Sequence, residues 1–207
     1  GPTILMVHGW NGRGAQLGAF APALVGAGYR VVSFDTPAHG RSPGRTTNLL
    51  DISEAIRTVA QACGPLHAVI GHSFGVACAI HAVQQGLKVN RFVALSSPRS
   101  MRWIARSYFT TMGIGTPVQA VFNRKFEARF GADLWQRFSP EILARQLDVP
   151  GLVIHDENDR DVPWQEGAAL ANAWPGAQFV RTSGLGHRRI LRDPDVIARV
   201  TAFIMTT

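Results

Sequence analysis

The sequence predicts an α/β protein, a mostly parallel sheet of about six strands with helices on both faces. Three observations predict it. Short apolar runs alternate with longer amphipathic stretches, the pattern of successive βαβ units. Gly71-His72-Ser73-Phe74-Gly75 stands where one apolar run gives way to a helical pattern, with glycines on both sides of the serine. A Cβ at either glycine would collide with neighbouring backbone in a tight strand-to-helix turn. Finally, 207 residues with 46% apolar and 17% charged content suit one folded domain with a substantial core.

Strands are expected at residues 4–7, 31–34, 68–70, 92–95, 152–155 and 178–180. Helices are expected at about 15–27, 49–62, 76–85, 165–173 and 194–204. Ligands of such sheets bind outside the carboxyl ends of the strands, so function is sought in the loops that follow them. The first strand runs into His8-Gly9-Trp10-Asn11-Gly12, where glycine lets backbone approach a ligand. The Trp10 N–H is a candidate oxyanion donor there; a packed glycine-rich turn is the competing reading. The second strand ends in Asp35-Thr36-Pro37-Ala38-His39-Gly40-Arg41-Ser42, read as a structural turn with Asp35 bonding nearby N–H groups. The third delivers Ser73, with the Phe74 N–H at the start of a helix, where it can meet a developing negative charge.

The fourth strand is followed by more than fifty residues without a clear strand. This segment, 97–148, reads as helices at about 101–112, 118–130 and 140–147. Its aromatics include Trp103, Phe122 and Phe126, and its arginines include Arg99, Arg102, Arg106, Arg124 and Arg129. Leaving the sheet on the ligand side, it is a candidate lid, with Trp103, Phe122 and Phe126 as candidate pocket residues. A helical excursion that merely covers the sheet is the plainer alternative. The fifth strand ends in Asp156-Glu157-Asn158-Asp159-Arg160-Asp161, three aspartates of which one could orient a histidine. The sixth leads to Ser183-Gly184-Leu185-Gly186-His187, a histidine among flexible turn residues before the last helix. The whole chain, 1–207, is read as a single domain.

Net charge is +7, almost all of it arginine. An anionic partner is conceivable on that ground. No nucleic-acid motif accompanies the charge, so it is read as compositional, with no nucleic-acid partner. The two cysteines, Cys63 and Cys78, have neither a C-x-x-C nor a Cys/His metal spacing. They point to a reduced, cytoplasmic protein. No apolar run is long enough to span a bilayer and no leader is visible.

Ser73, an aspartate and His187 follow one another in the order Ser…Asp…His. With that order, the chain resembles the α/β-hydrolase superfamily over nearly its whole length. The matching residues are His8-Gly9-Trp10, Asp35 through Ser42, Gly71 through Gly75, His155-Asp156-Glu157-Asn158-Asp159 with Val162-Pro163, and Gly186-His187. The resemblance implies that Asp159 is the acid, since the family's acid follows an apolar strand as G-x-x-D. Asp156 then stands where glycine is usual. Ala38 also replaces a common glycine, which alanine can do if its φ stays negative. Relatives commonly open with two further strands, so the expectation is a minimal version of the fold or a shortened sheet edge.

The resemblance implies a serine hydrolase that cleaves a carboxylic ester or thioester with an apolar group, through an acyl-enzyme on Ser73. Ser73, Asp159 and His187 would form the triad, and the Trp10 and Phe74 N–H groups the oxyanion hole. Neither cofactor nor metal is expected, and the partner is a small ester-like substrate. Serine at position 73 speaks against dehalogenase and epoxide-hydrolase chemistry, where aspartate is used. The same triad also serves C–C bond hydrolysis, perhydrolysis or transfer to other acceptors, and a non-catalytic ligand-binding protein is the alternative of another class.

Overall fold

The computed structural model describes residues 1–206. Among these residues six strands form one sheet: β1 (Thr3–Val7), β2 (Arg30–Ser33), β3 (Leu66–His72), β4 (Arg91–Leu95), β5 (Gly151–Asp156) and β6 (Gln178–Thr182). Their order is β2-β1-β3-β4-β5-β6, and all five pairings are parallel. The chain moves outward from β1 to β2, then crosses back to place β3 on the other side of β1. That reversal opens a crevice beyond the carboxyl ends of β1 and β3, where sheets of this topology bind ligands. The loops at 8–12 and 72–75 meet there.

Among the described residues ten α-helices accompany the strands: α1 (Ala21–Gly26), α2 (Leu49–Cys63), α3 (Phe74–Gln84), α4 (Met101–Thr111), α5 (Thr116–Phe130), α6 (Leu134–Arg137), α7 (Pro140–Ala144), α8 (Trp164–Ala173), α9 (Gly186–Arg189) and α10 (Pro194–Met205). Alternate residues of the central strands feed two cores. Leu5, Val7, Val69, Phe92, Ala94 and Val153 face α2, α3 and α8. Ile4, Met6, Ile70, Val93, Leu95 and Ile154 face α1 and α10. Burial on both faces explains why the central strands are largely apolar, and the outer strand β6 is correspondingly more polar and exposed. Among the described residues no helix is long and apolar enough to cross a membrane.

The helix expected at 15–27 is divided. A 3-10 helix, Gly14–Phe20, precedes α1, which carries Pro22 in its first turn. Pro22 has no N–H to donate to Gly18, so one continuous α-helical ladder cannot form across the junction. Ala38 also differs from expectation, with φ at +60°. It occupies the left-handed region that the family's glycine enters without strain.

Segment 97–148 holds α4 to α7; α6 is a short turn that the aromatic pattern did not reveal. Its base is pinned to the body. Arg99 contacts Glu166 of α8 at 3.3 Å and Glu141 at 3.6 Å, and the Arg99 N–H donates to Glu166. Gln84 of α3 donates to the Leu143 carbonyl at 3.0 Å. Farther out, α5 contains no buried residue.

Candidate active site

Ser73 occupies the turn between β3 and α3 with φ 53° and ψ −125°. Such a backbone costs a non-glycine residue about 1–3 kcal/mol and persists only where its surroundings impose it. Here the Ser73 N–H donates to the Leu95 carbonyl at 2.9 Å, and its carbonyl accepts from Val76 at 3.0 Å. The flanking glycines have the steric reason anticipated for them. A Cβ on Gly75 would lie 2.4 Å from the His8 carbonyl oxygen, and one on Gly71 would lie 3.0 Å from the Val76 Cα. The turn holds Ser73 partly exposed above buried neighbours.

His187 lies in α9, the short helical turn before α10. Its Nδ1 lies 2.7 Å from Asp159 Oδ2. The other carboxylate oxygen of Asp159 accepts the Asp161 and Val162 N–H groups at 2.9 and 2.8 Å. Burial works against the ionised carboxyl. Hydrogen bonds from His155, His187 and Val162 outweigh it and hold Asp159 well below the ordinary carboxylate range.

Asp156 is wholly committed elsewhere. Its Oδ1 accepts from Asn158 at 3.0 Å and Gly186 at 2.8 Å, and its Oδ2 from Thr182 at 2.8 Å and Leu185 at 3.1 Å. Burial opposes its charge too, and these four bonds again win and lower its pKa. Asp156 therefore ties the loop after β5 to the turn that presents His187. Asn158 adds a second tie, accepting the Gly184 N–H at 2.7 Å.

Two buried histidines that sequence reasoning passed over complete the surroundings. His155 Nε2 lies 2.9 Å from the Val162 carbonyl and 3.3 Å from Asp159 Oδ2. A carbonyl can only accept, so the His155 proton is assigned to Nε2 and is shared with Asp159. His72 Nε2 likewise donates to the His187 carbonyl at 3.0 Å, with the two rings 4.6 Å apart. Burial, reinforced by the neighbouring His187, pushes the His72 pKa down to about 3, so it is neutral at ordinary pH. The signal that could have drawn attention to both was a polar residue inside an otherwise apolar strand.

The loop after β1 lies against the serine: a Cβ on Gly9 would fall 2.9 Å from the Ser73 Cβ. His39 Nε2 accepts the Asn11 N–H at 3.1 Å, and His8 Nε2 accepts the Thr36 N–H at 2.9 Å. Asp35 accepts from Gly14 and Arg41 at 2.7 and 2.8 Å. The loops after β1 and β2 thus brace each other. Among the described residues neither the Trp10 nor the Phe74 N–H has a protein acceptor. The Trp10 ring packs edge-on against Phe74, 5.7 Å between centroids.

Ser73 makes no hydrogen bond to His187 among the described residues, while Asp159 and His187 are brought together. Trp103 is half-buried on α4. Phe122 and Phe126 stack on each other at 4.3 Å in an aromatic row continued by Phe109 and Phe130. A depression of about 500 Å³ lies at the end of β2, lined by residues such as Arg13, Phe34 and Asp35; Ser73 is not among them.

A buried carboxylate on Nδ1 fixes an imidazole with its Nε2 lone pair outward, the arrangement of a general base beside a hydroxyl nucleophile. Fold and site together define a class, and comparison with known proteins identifies it. The model of the alpha/beta hydrolase family matches residues 4–200, and the chain belongs to that family. It is 30% identical to the magnesium-chelatase 30 kDa subunit of Rhodobacter capsulatus over 74% of this chain and 53% of that protein. The match therefore spans about half of that relative. It is 26% identical to a pimeloyl-[acyl-carrier protein] methyl ester esterase of Xanthomonas campestris, covering 96% of this chain and 92% of the relative. Among solved structures, an esterase from Exiguobacterium antarcticum superposes with a TM-score of 0.75 at 13% identity, covering all of this chain and 92% of the other.

Proposed function

We propose that the protein is a serine hydrolase that cleaves a carboxylic ester or thioester with an apolar group, through an acyl-enzyme on Ser73. The observation that carries this reading is the 2.7 Å contact of His187 with buried Asp159, taken with a serine held at positive φ next to His72, which bonds the His187 carbonyl. Esterases among the relatives support the reaction class.

Ser73 Oγ attacks the substrate carbonyl while His187 Nε2 takes its proton. Asp159 stabilises the imidazolium through Nδ1–H. The Trp10 and Phe74 N–H groups receive the oxyanion, each worth about 3–4 kcal/mol in comparable sites. The imidazolium protonates the departing alkoxide or thiolate, leaving Ser73 acylated. Water, deprotonated by His187, then attacks the acyl carbonyl, and the proton returns to Ser73 as the acid leaves. Segment 97–148 acts as the lid, with Trp103, Phe122 and Phe126 on the substrate path. Two free cysteines, Cys63 and Cys78, suit a reducing, cytoplasmic setting.

The test is a p-nitrophenyl ester panel with wild type and Ser73→Ala, beside fluorophosphonate labelling. Hydrolysis and labelling that disappear together in Ser73→Ala are expected. Equal rates for the two proteins, or no label on wild type, would overturn the reading.

A further inference from the structure

The outer half of segment 97–148 has an unusual surface. Of the ten exposed large apolar side chains among the described residues, four lie on the hairpin of α4 and α5: Tyr108, Met112, Val118 and Val121. Met112 and Val118 are 58% and 60% exposed. No charged residue occurs anywhere in 107–123, the stretch that forms the tip. Cations begin at once on both sides, Arg106 and Arg124, followed outward by Arg102, Lys125 and Arg129. All five are exposed, and among the described residues none forms an ion pair. The one acid on these two helices, Glu127, accepts instead from the Trp135 indole at 2.6 Å.

The tip pairs part of its backbone internally. Met112 donates to the Tyr108 carbonyl, Gly113 to Thr110, Ile114 to Phe109 and Val118 to Gly115, all within 3.1 Å. The Gln119 side-chain amide donates to the Ile114 carbonyl at 2.6 Å. Seated at headgroup depth, the turn keeps its remaining backbone groups within reach of water. Buried Phe109 and the Phe122–Phe126 stack hold it in shape.

We propose that the α4–α5 hairpin docks on an anionic lipid surface, its uncharged tip seated among the headgroups and its flanking cations on the phosphates. The charge pattern selects this occupant. A second copy of the chain would bring five like cations against five. An acidic protein would pair the cations but would meet a convex apolar tip offering no groove. An interfacial layer matches both features at once, apolar depth at the tip and negative charge at its rim. The docking needs no catalysis and stands apart from the reaction proposed above.

The test is flotation of the full chain with vesicles of phosphatidylcholine alone or of equal parts phosphatidylcholine and phosphatidylglycerol. Binding to the mixed vesicles only, released by high salt, is expected. Each cation near such a surface contributes about fivefold in affinity, so Arg106→Glu with Arg124→Glu should weaken binding by more than tenfold. Met112→Asp with Val118→Asp should do the same with the salt response retained, and Ser73→Ala should bind like wild type. Absence of binding to mixed vesicles, or binding undiminished in both double variants, overturns the proposal. A stable dimer abolished by Met112→Asp/Val118→Asp would assign the face to a second copy. Poly-glutamate competing for the hairpin without any vesicle binding would assign it to an acidic protein. Either result also overturns it.

Discussion

Replacing Asp159 by Asn tests the acid–base pair most directly, because the two loop aspartates make opposite commitments. Asp159 receives donors on both oxygens: Asp161 and Val162 on Oδ1, His155 and His187 on Oδ2. An asparagine keeps one acceptor oxygen. The Oδ1 side faces two fixed backbone donors, so the carbonyl oxygen belongs there and the NH₂ must face His187. His187 Nδ1 must then accept, and its proton moves to Nε2, where the base lone pair was needed. Loss of the correct tautomer lowers kcat by about 10⁴, or about 5.5 kcal/mol of transition-state stabilisation. KM should change little. The assay is steady-state hydrolysis of a p-nitrophenyl ester, with circular dichroism to show that the variant is folded. Asp156→Asn should behave differently. Its amide confronts two of four native donors, so it should lose several kcal/mol of stability, and some activity through a loosened His187 turn. A folded Asp159→Asn with near-normal kcat, beside a folded Asp156→Asn that is inactive, would refute the reasoning.

Other outcomes follow from neighbouring features. Ala38→Gly relieves a positive φ and should stabilise the protein by about 1 kcal/mol, raising Tm by about 2–4 °C in calorimetry. Gly75→Ala forces a Cβ onto the His8 carbonyl and should abolish both soluble folding and fluorophosphonate labelling. Burial lowers the His72 pKa from 6.5 to about 3, so the unfolded chain binds the proton that the native state refuses. Stability should therefore fall as pH drops below 6.5, by up to about 1.4 kcal/mol per pH unit from His72 alone, with His8 and His81 adding in the same direction. Urea midpoints between pH 6.5 and 4 measure this, and a His72→Gln slope as steep as wild type would contradict it. Asp156 and Asp159 have lowered folded pKa values, so their stabilisation is complete above the unfolded value near 3.8 and is lost as pH falls through the folded values. Asp159→Asn should flatten the acid limb below pH 4 in the same titration.

The sheet was legible because strands buried on two faces must be mostly apolar, and helices packed against them must be amphipathic. The loops at Gly9, Ser73, Asp159 and His187 were legible because each stands where a strand ends, and chain order ties them together. What escaped depends on which loops approach each other in space. Nothing local marks Asp156 as the acceptor of donors contributed by β6 and the turn after it. Nothing local forces Ala38 to a positive φ, which the closing of its loop against Pro43 imposes through the Ala38 N–H. His72 and His155 were given no role because their partners, a carbonyl at 187 and a carboxylate at 159, are chosen by tertiary packing. The division of residues 15–27 turns on Pro22, whose missing donor matters only once the ladder around it is known.

The double tie from Asp156 and Asn158 makes the loop after β5 and the turn after β6 one mechanical part. Acid and imidazole ride on it together, whereas the serine rides on β3. Small sliding between those strands would vary the gap from serine to imidazole and leave the 2.7 Å carboxylate contact untouched. His72, next to the serine and bonded to the His187 carbonyl, is the strut across that gap. In the reaction proposed above, two adjustments would thereby be separate: the tied loops would keep His187 in its tautomer, and one short strut would set its reach.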